Sequence, residues 1–331
     1  MANQQEVSVI IPVYNGERYI ERCLDALMES SHPAFEIIVV DDCSTDETTV
    51  KARRKGAIIL HPPQQSGTAF ARNLGAQHAN GDILLFIDSD VLVKKDTIKQ
   101  VVSNFLRYPE MAAMFGSYDD EPEEKNFISQ YRNLFHHFQH QQSGKEATTF
   151  WGGCGAIRKK IFEEMGGFNH KRYIKPSIED IELGYRLRKK GYRILLDANL
   201  QVKHLKRWEF LSMLRTDIFQ RAIPWSQLIL ETKFMPKDLN LHISQKISSI
   251  SVALLVLTIT FLFSGYINFL GPVSVILFFN VLILNRRLYG FYARKKGVWF
   301  MMRVIPLHIL YYIYSGISFA ICWIMYRISI T

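Results

Sequence analysis

The stretch "LLFIDSDVLV" (residues 84–93) is an apolar run interrupted by two aspartates one residue apart, Asp88 and Asp90. Such a run reads as a buried strand whose carboxyl end carries charge. Earlier apolar runs have the same character: "VSVIIPVYN" (7–15), "EIIVVDD" (36–42) and the short "AIIL" (57–60). Between them lie helical patterns, with Tyr19, Ile20, Cys23, Leu24 and Leu27 at helical spacing, then "TDETTVKARRK", then "GTAFARNLGAQHA" (67–79). Strands apolar on both faces that alternate with helices predict an α/β fold with a parallel sheet covered on both sides. Ligands of such sheets gather at the carboxyl ends of the strands, where Asp41, Asp42, Asp88 and Asp90 all fall.

Moving outward, charge divides the chain. Residues 1–200 hold 25 Lys+Arg against 27 Asp+Glu, whereas residues 201–331 hold 15 against 4, so the net charge of +9 belongs to the C-terminal third. That third also carries uncharged runs at Ile247–Asn285 and Val304–Tyr326. About 20 apolar residues cross the hydrocarbon layer as a helix, so these runs predict membrane spans. The first run would measure about 58 Å as one helix, roughly twice that layer, and "SGYINFLGP" (264–272) supplies the break. The expectation is a helical hairpin over 246–264 and 270–285, then a further span over 303–326. "NRRLYGFYARKKG" (285–297) is basic and therefore expected on the cytoplasmic side. Residues 205–246 interleave Trp, Phe and Leu with Arg and Lys, the pattern of helices in the headgroup layer. Basic residues flanking apolar spans attract anionic lipid, and no basic face on the folded part suggests nucleic acid.

Three regions follow: a catalytic domain over 1–204, interfacial helices over 205–245, and a membrane domain over 246–331 with two or three spans. The four cysteines, Cys23, Cys43, Cys154 and Cys322, form no CxxC pair and are expected to be reduced thiols. The N-terminus has no basic segment leading into a long apolar one, so no signal peptide is expected before the globular part.

Two aspartates at i and i+2 leave a strand on one side and can converge on one divalent cation. Oxygen ligands favour Mg²⁺ or Mn²⁺ over zinc. A capping or turn pair is the plainer alternative for the motif taken alone. It does not stand alone, because "VSVIIPVYNGE", "IIVVDDCSTDET", "GTAFARNLGAQHANGDILLFIDSD" and "SIEDIELGYRLRKKGYRI" together resemble the family 2 glycosyltransferases. The resemblance covers about residues 6–205. It implies a Rossmann-like nucleotide-diphospho-sugar transferase domain of the type A glycosyltransferase fold, followed here by interfacial and transmembrane helices.

The resemblance also implies roles. Pro12, Tyr14, Asn15 and Glu17 would cradle the nucleotide end of a nucleotide-sugar donor, with Asp42 bonding the base and Asp41 supporting it. Arg72 and Asn73 fall where the nucleotide sugar and diphosphate lie. Asp88 and Asp90 match the metal motif, Asp90 as the more direct ligand of Mg²⁺ or Mn²⁺, with His204 a further candidate for the metal or diphosphate or else a satisfied or surface histidine. Asp180 matches the general base and Glu179 an acceptor contact, although both could simply favour a helix N-terminus. In "FWGGCGAIRKK", Trp151 stacks on a sugar or sits in the core, and Gly152 and Gly153 let backbone approach the ligand. His136, His137 and His140 are read as solvated on a Gln-rich helix.

One departure is informative. Processive synthases of this family carry QxxRW, whereas "QRAIPW" (220–225) offers Gln220, Arg221 and Trp225 in a looser arrangement, with Arg221 and Trp225 kept as acceptor contacts. The implied activity is inverting transfer from a nucleotide-sugar, a UDP-sugar by expectation, to a lipid-linked or membrane-proximal acceptor, with the domain on the cytoplasmic face of the inner membrane. The alternatives are transfer to polyprenyl phosphate and, in another class, an inactive nucleotide-binding membrane scaffold.

Overall fold

A computed structural model describes residues 5–236, 242–261 and 267–330. The chain divides into two units, Met1–Glu209 and Phe210–Thr331.

The first unit is built on nine strands: β1 (Val7–Val13), β2 (Glu36–Asp41), β3 (Ile58–Leu60), β4 (Ile83–Ile87), β5 (Val91–Leu92), β6 (Met111–Tyr118), β7 (Glu146–Ala147), β8 (Cys154–Arg158) and β9 (Arg193–His204). Their order is β3-β2-β1-β4-β8-β6-β9-β5, with β7 on β9. All seven residues of β1 and all five of β4 are buried, which is why neither alternates polar and apolar. Seven helices accompany the sheet: α1 (Ile20–Met28), α2 (Thr48–Arg54), α3 (Thr68–His78), α4 (Thr97–Arg107), α5 (Phe127–Gln142), α6 (Lys159–Glu164) and α7 (Glu179–Lys189). Helix α1 shows the periodicity read from its sequence, burying Ile20, Cys23, Leu24 and Leu27.

The parallel pattern holds for β1 through β4, and β6 and β9 also pair in parallel. Strand β8 runs antiparallel between β4 and β6, so the sheet is mixed. Alternating strands and helices revealed the first half; "CGAIR" had no such alternation around it, and its direction is seen only in its pairing with β4 and β6. Pairing of β1 with β4 ends at Ile10–Phe86, while pairing with β2 continues to Val13–Asp41. The strand order turns at this point, and the carboxyl ends of strands at such a turn are where open α/β sheets form their ligand crevice. Pro12, which has no N–H, sits beyond the β1–β4 ladder, where one set of hydrogen bonds is already absent.

The second unit is helical: α8 (Phe210–Arg215), a π-helical stretch Thr216–Ala222, α9 (Ile223–Thr232), α10 (Ile243–Thr260), α11 (Ile267–Leu284), α12 (Arg286–Lys296) and α13 (Val298–Ile330). Ile243–Thr260 and Val298–Ile328 are long and apolar enough to cross a membrane; Phe269–Leu284 with Arg286–Lys296, bent by 65°, makes a third if counted as one span. Helix α13 thus starts five residues before the expected span, with Pro306 inside it. Part of the expected break at 264–272 lies outside the described residues, and Pro272 is accommodated within α11. Within this unit Phe219, Ile250, Leu257, Phe279, Ile321 and Ile328 are exposed, the surface a lipid solvent accepts. Buried polar side chains pair between helices: the Asn285 amide donates to Ser248 Oγ at 3.0 Å, and Tyr312 donates to Gln245 Oε1 at 2.7 Å.

Candidate active site

Side chains after β1 and β2 fix the floor of the crevice. Asn15 adopts a left-handed conformation (φ 50°), which its short amide tolerates, and its Oδ1 accepts the Thr45 N–H at 2.9 Å. Glu17 Oε2 accepts the Glu47 N–H at 3.1 Å, at the start of α2. Asp41, 1% exposed, accepts the Ser44 N–H at 2.9 Å and the Thr49 hydroxyl. Asp42 spreads its two oxygens over consecutive amides, Ser66 N–H at 2.7 Å and Gly67 N–H at 2.8 Å. Gly67 is required there: its φ is +84°, and a Cβ would collide with the Ile174 carbonyl oxygen. Pro12 is buried beneath the crevice and Tyr14 stays half exposed.

The charged centre is organised by Arg72 on α3. Its guanidinium, 4% exposed, donates to Asp88 Oδ1 at 2.7 Å and to Glu179 Oε1 at 3.0 Å, joining the end of β4 to the start of α7. Two carboxylates on separate branches use the planar fork in a way a lysine ammonium could not. Gly152 lies against this group, since a Cβ there would fall 2.9 Å from the guanidinium carbon. Its N–H donates to Asp180 Oδ2 at 2.9 Å, which sets Asp180 beside the same cluster. Asp88 donates its own N–H to the Gly153 carbonyl at 3.2 Å, so the turn just before β8 supplies both contacts. Asn73 spends its amide on Phe168, donating to its carbonyl at 2.8 Å and accepting its N–H at 2.9 Å, and so clamps a loop.

Burial opposes the charge of Arg72, but Asp88, Glu179 and Asp180 outweigh it and raise its basicity. Burial also lifts Asp88 and Glu179 above the ordinary carboxylate range, against the pull of Arg72 and with help from Asp90 and Asp180 respectively. Asp90 goes the other way: burial opposes its charge, yet His204 and Lys206 hold it below its usual value. Neighbouring carboxylates with divergent ionisation are what a site that divides roles requires. The two buried thiols beside this centre are held in the protonated form. Burial and then Asp88 push Cys154 up to about 12, and burial with Asp90 and Asp88 raises Cys23.

Among the described residues, no three His, Cys, Asp or Glu side chains form a ready metal-ligand group. Asp90 Oδ2 and His204 Nε2 are 3.6 Å apart, with Asp88 two residues from Asp90. Ions such as Mg²⁺ are held by one or two carboxylates plus substrate phosphates, so a partial protein set suits one. Asp88, Asp90, Glu179 and Asp180 also outnumber the arginine buried among them, leaving negative charge for a cation to neutralise. The residues fit a divalent ion.

Beside this centre lies a stack of rings. Tyr118 meets His204 face to face at 4.3 Å and Trp151 edge-on at 4.8 Å, and Trp151 is partly buried against the core. The expectation of solvated histidines on α5 is overturned. His137 and His140 are 7% and 5% exposed and bond the Tyr118 and Gly116 carbonyls at 2.7 and 3.0 Å. Burial, which outweighs that bond, holds His140 down to about 4. The Gln- and His-rich composition of α5 concealed that its polar side chains reach backbone groups of β6. His204 is buried too, so a surface position is ruled out for it. Arg221 and Trp225 belong to the second unit, in the π-helical stretch and in α9. Sequence reading missed Ser66, Gly67 and Asn133; only the glycine before α3 gave a signal, as a helix start.

Residues 8–166 match the family model described as Glycosyl transferase family 2. Over 99 residues the chain is 39% identical to the putative teichuronic acid biosynthesis glycosyltransferase TuaG of Bacillus subtilis (strain 168), covering 28% of this chain and 39% of that one. The match therefore spans less than half of that relative. Among solved structures, the mannosyltransferase PcManGT from Pyrobaculum calidifontis, in complex with GDP-Man and Mn²⁺, aligns with a TM-score of 0.58 at 18% identity, covering 96% of this chain and 88% of that one. S. aureus TarS 1–349 in complex with UDP-GlcNAc aligns with a TM-score of 0.51 at 20% identity, covering 92% and 91%. At these identities the likeness is one of fold, the type A glycosyltransferase fold. The sheet unit is thus built on a family 2 glycosyltransferase domain, carried by residues 8–166.

Proposed function

We propose that the protein is a membrane-anchored inverting glycosyltransferase that moves a sugar from a UDP-sugar to a hydroxyl of a lipid-linked or membrane-proximal glycan. The observation that carries this reading is the Arg72 fork, which gathers Asp88, Glu179 and, through Gly152, Asp180 into one crevice at the strand ends. Family membership supplies the reaction class. Donors named in the fold relatives, UDP-GlcNAc and GDP-Man, are both nucleotide-sugars.

In this reading Tyr14 and Asp42 hold the base and the β1 and β2 loops hold the nucleoside. Asp88, Asp90 and His204 would hold Mg²⁺ or Mn²⁺, which when bound neutralises charge developing on the departing diphosphate. Asp180 takes the proton from the acceptor hydroxyl as it attacks the anomeric carbon from the face opposite the nucleotide, which inverts configuration. Two N–H donors, Gly152 at 2.9 Å and Ile181 at 2.8 Å, fix its carboxylate. Glu179, locked on Arg72 and the Ser177 N–H, positions α7 and the acceptor side. The raised thiols give no support to a cysteine-linked sugar intermediate. The apolar helices and the basic α12 favour a multi-pass anchor in the inner membrane with the sheet unit cytoplasmic.

Purified protein in lipid nanodiscs tests this directly. Asp180→Asn is expected to bind UDP as the parent does and to lose about 10²–10⁴-fold in transfer to a hydroxyl acceptor. Full turnover by that variant would refute the base. Near-parental transfer to polyprenyl phosphate, an acceptor already ionised, would favour that acceptor instead. UDP binding without turnover by the parent on any lipid extract would point to a scaffold.

A further inference from the structure

Asn133 on α5 is 2% exposed and 71 residues from His204, yet the two side chains meet: Asn133 Oδ1 and His204 Nδ1 are 3.1 Å apart. The amide cannot be turned round freely. Its Nδ2 donates, at 3.4 Å, to the Asp119 carbonyl, an oxygen that only accepts. Oxygen therefore faces the imidazole, and Nδ1 must carry the proton to make the bond. With Nδ1 carrying the proton toward Asn133, Nε2 is the nitrogen that faces Asp90 Oδ2, 3.6 Å away. An imidazole nitrogen and a carboxylate oxygen facing each other at that separation call for a positive centre between them, a proton on Nε2 or a metal ion.

Everything else about His204 is fixed. Its ring is stacked on Tyr118 at 4.3 Å with 13° between planes. Its backbone pairs with Val91, and the Leu205 N–H donates to the Asp90 carbonyl at 2.8 Å, which joins the two candidate ligands through the β5–β9 ladder. Only the tautomer is left to choose, and Asn133 chooses it. We infer that Asn133 is a positioning residue for the divalent cation: it holds His204 as the Nδ1–H tautomer, so that Nε2 and Asp90 form a two-point site. This rests on the metal reading proposed above and adds to it a residue with no contact to metal or donor. Outer partners that orient a ligating imidazole typically change metal affinity by about 10–100-fold when removed.

The test uses the full chain in nanodiscs with Mn²⁺ alone as the probe, its binding read by electron paramagnetic resonance, and ¹⁵N-histidine spectra of the metal-free protein. The parent should show His204 protonated at Nδ1. Asn133→Leu, which cannot accept, should bind Mn²⁺ about 10–100-fold more weakly and shift the tautomer toward Nε2–H. Asn133→Asp keeps an acceptor and should stay within a few-fold of the parent. Parental Mn²⁺ affinity in Asn133→Leu overturns the inference, as does equal weakening in both variants, the mark of a packing defect. A parent protonated at Nε2, or at both nitrogens as an ion pair with Asp90, overturns it even if Asn133→Leu does not fold. Asp90→Asn separates the two levels: unchanged Mn²⁺ binding there sinks the metal site itself, whereas loss there with none in Asn133→Leu sinks Asn133 alone.

Discussion

The two units bury polar groups of different kinds. In the sheet unit Arg72 and Glu179 are 4% exposed and Asp88 completes the fork from the crevice wall. In the helical unit, apart from Asp217 on the π-helical stretch, the buried polar side chains of the described residues include no carboxylate, ammonium or guanidinium group: they are serines, Asn285 and His308, with Tyr312 bonded to Asn285 at 3.0 Å. Burying an ion costs several kcal/mol unless partners satisfy it, and a crevice open to water and ligand can meet that cost where a hydrocarbon solvent cannot. Neutral hydrogen bonds between helices are the weaker, safer adhesive. Charge in one unit therefore marks chemistry, and polarity in the other marks packing.

Removing the arginine tests the strong end of this contrast. Arg72→Met leaves Glu179 buried and unpaired and should destabilise the sheet unit by about 3–5 kcal/mol in urea unfolding. Adding Glu179→Leu should restore part of that loss; a double variant no more stable than the single one would mean that packing, not charge, was lost.

Next in size is the acid limb. His140 is neutral when folded, with burial holding it down to about 4, whereas an unfolded imidazole titrates near 6.5. The unfolded chain binds the extra proton between those values, so stability falls as pH drops from about 6.5 to about 4, and this group's share is about 3 kcal/mol. His140→Gln can still donate to the Gly116 carbonyl and should flatten that part of the profile. An unchanged slope in denaturation midpoints against pH would show that other groups carry it.

The smallest effect belongs to the helical unit. Asn285→Leu removes bonds to Ser248, Gln245 and Tyr312, yet interhelical bonds in membranes average about 0.6 kcal/mol, so a total of about 1–2 kcal/mol is expected in unfolding from lipid bicelles. A loss as large as that of Arg72→Met would break the comparison.

How far these features were legible follows from range. Strand β1, helix α1 and the apolar runs of α10 and α13 were readable because burial on one face, both faces or all round leaves a local period. The direction of β8 left none, and neither did the role of α5, whose histidines looked fit for water and instead bond carbonyls of β6. Asp88 was legible as a charged residue at a strand end, but its partner Arg72 is 16 residues from it and Glu179 is 107 residues from Arg72.

The sequence by itself determined the α/β class, the family 2 pattern and the division between a charge-balanced N-terminal part and an apolar, basic C-terminal one, because hydrophobic period and composition are properties of neighbours along the chain. Tertiary structure alone decided that Arg72 ties Asp88 to Glu179, that Gly152 holds Asp180 and that Asn133 reaches His204. Those contacts depend on side-chain direction across strands and helices far apart in sequence, and on how buried hydrogen-bonding capacity is shared among them, which spacing along the chain does not encode.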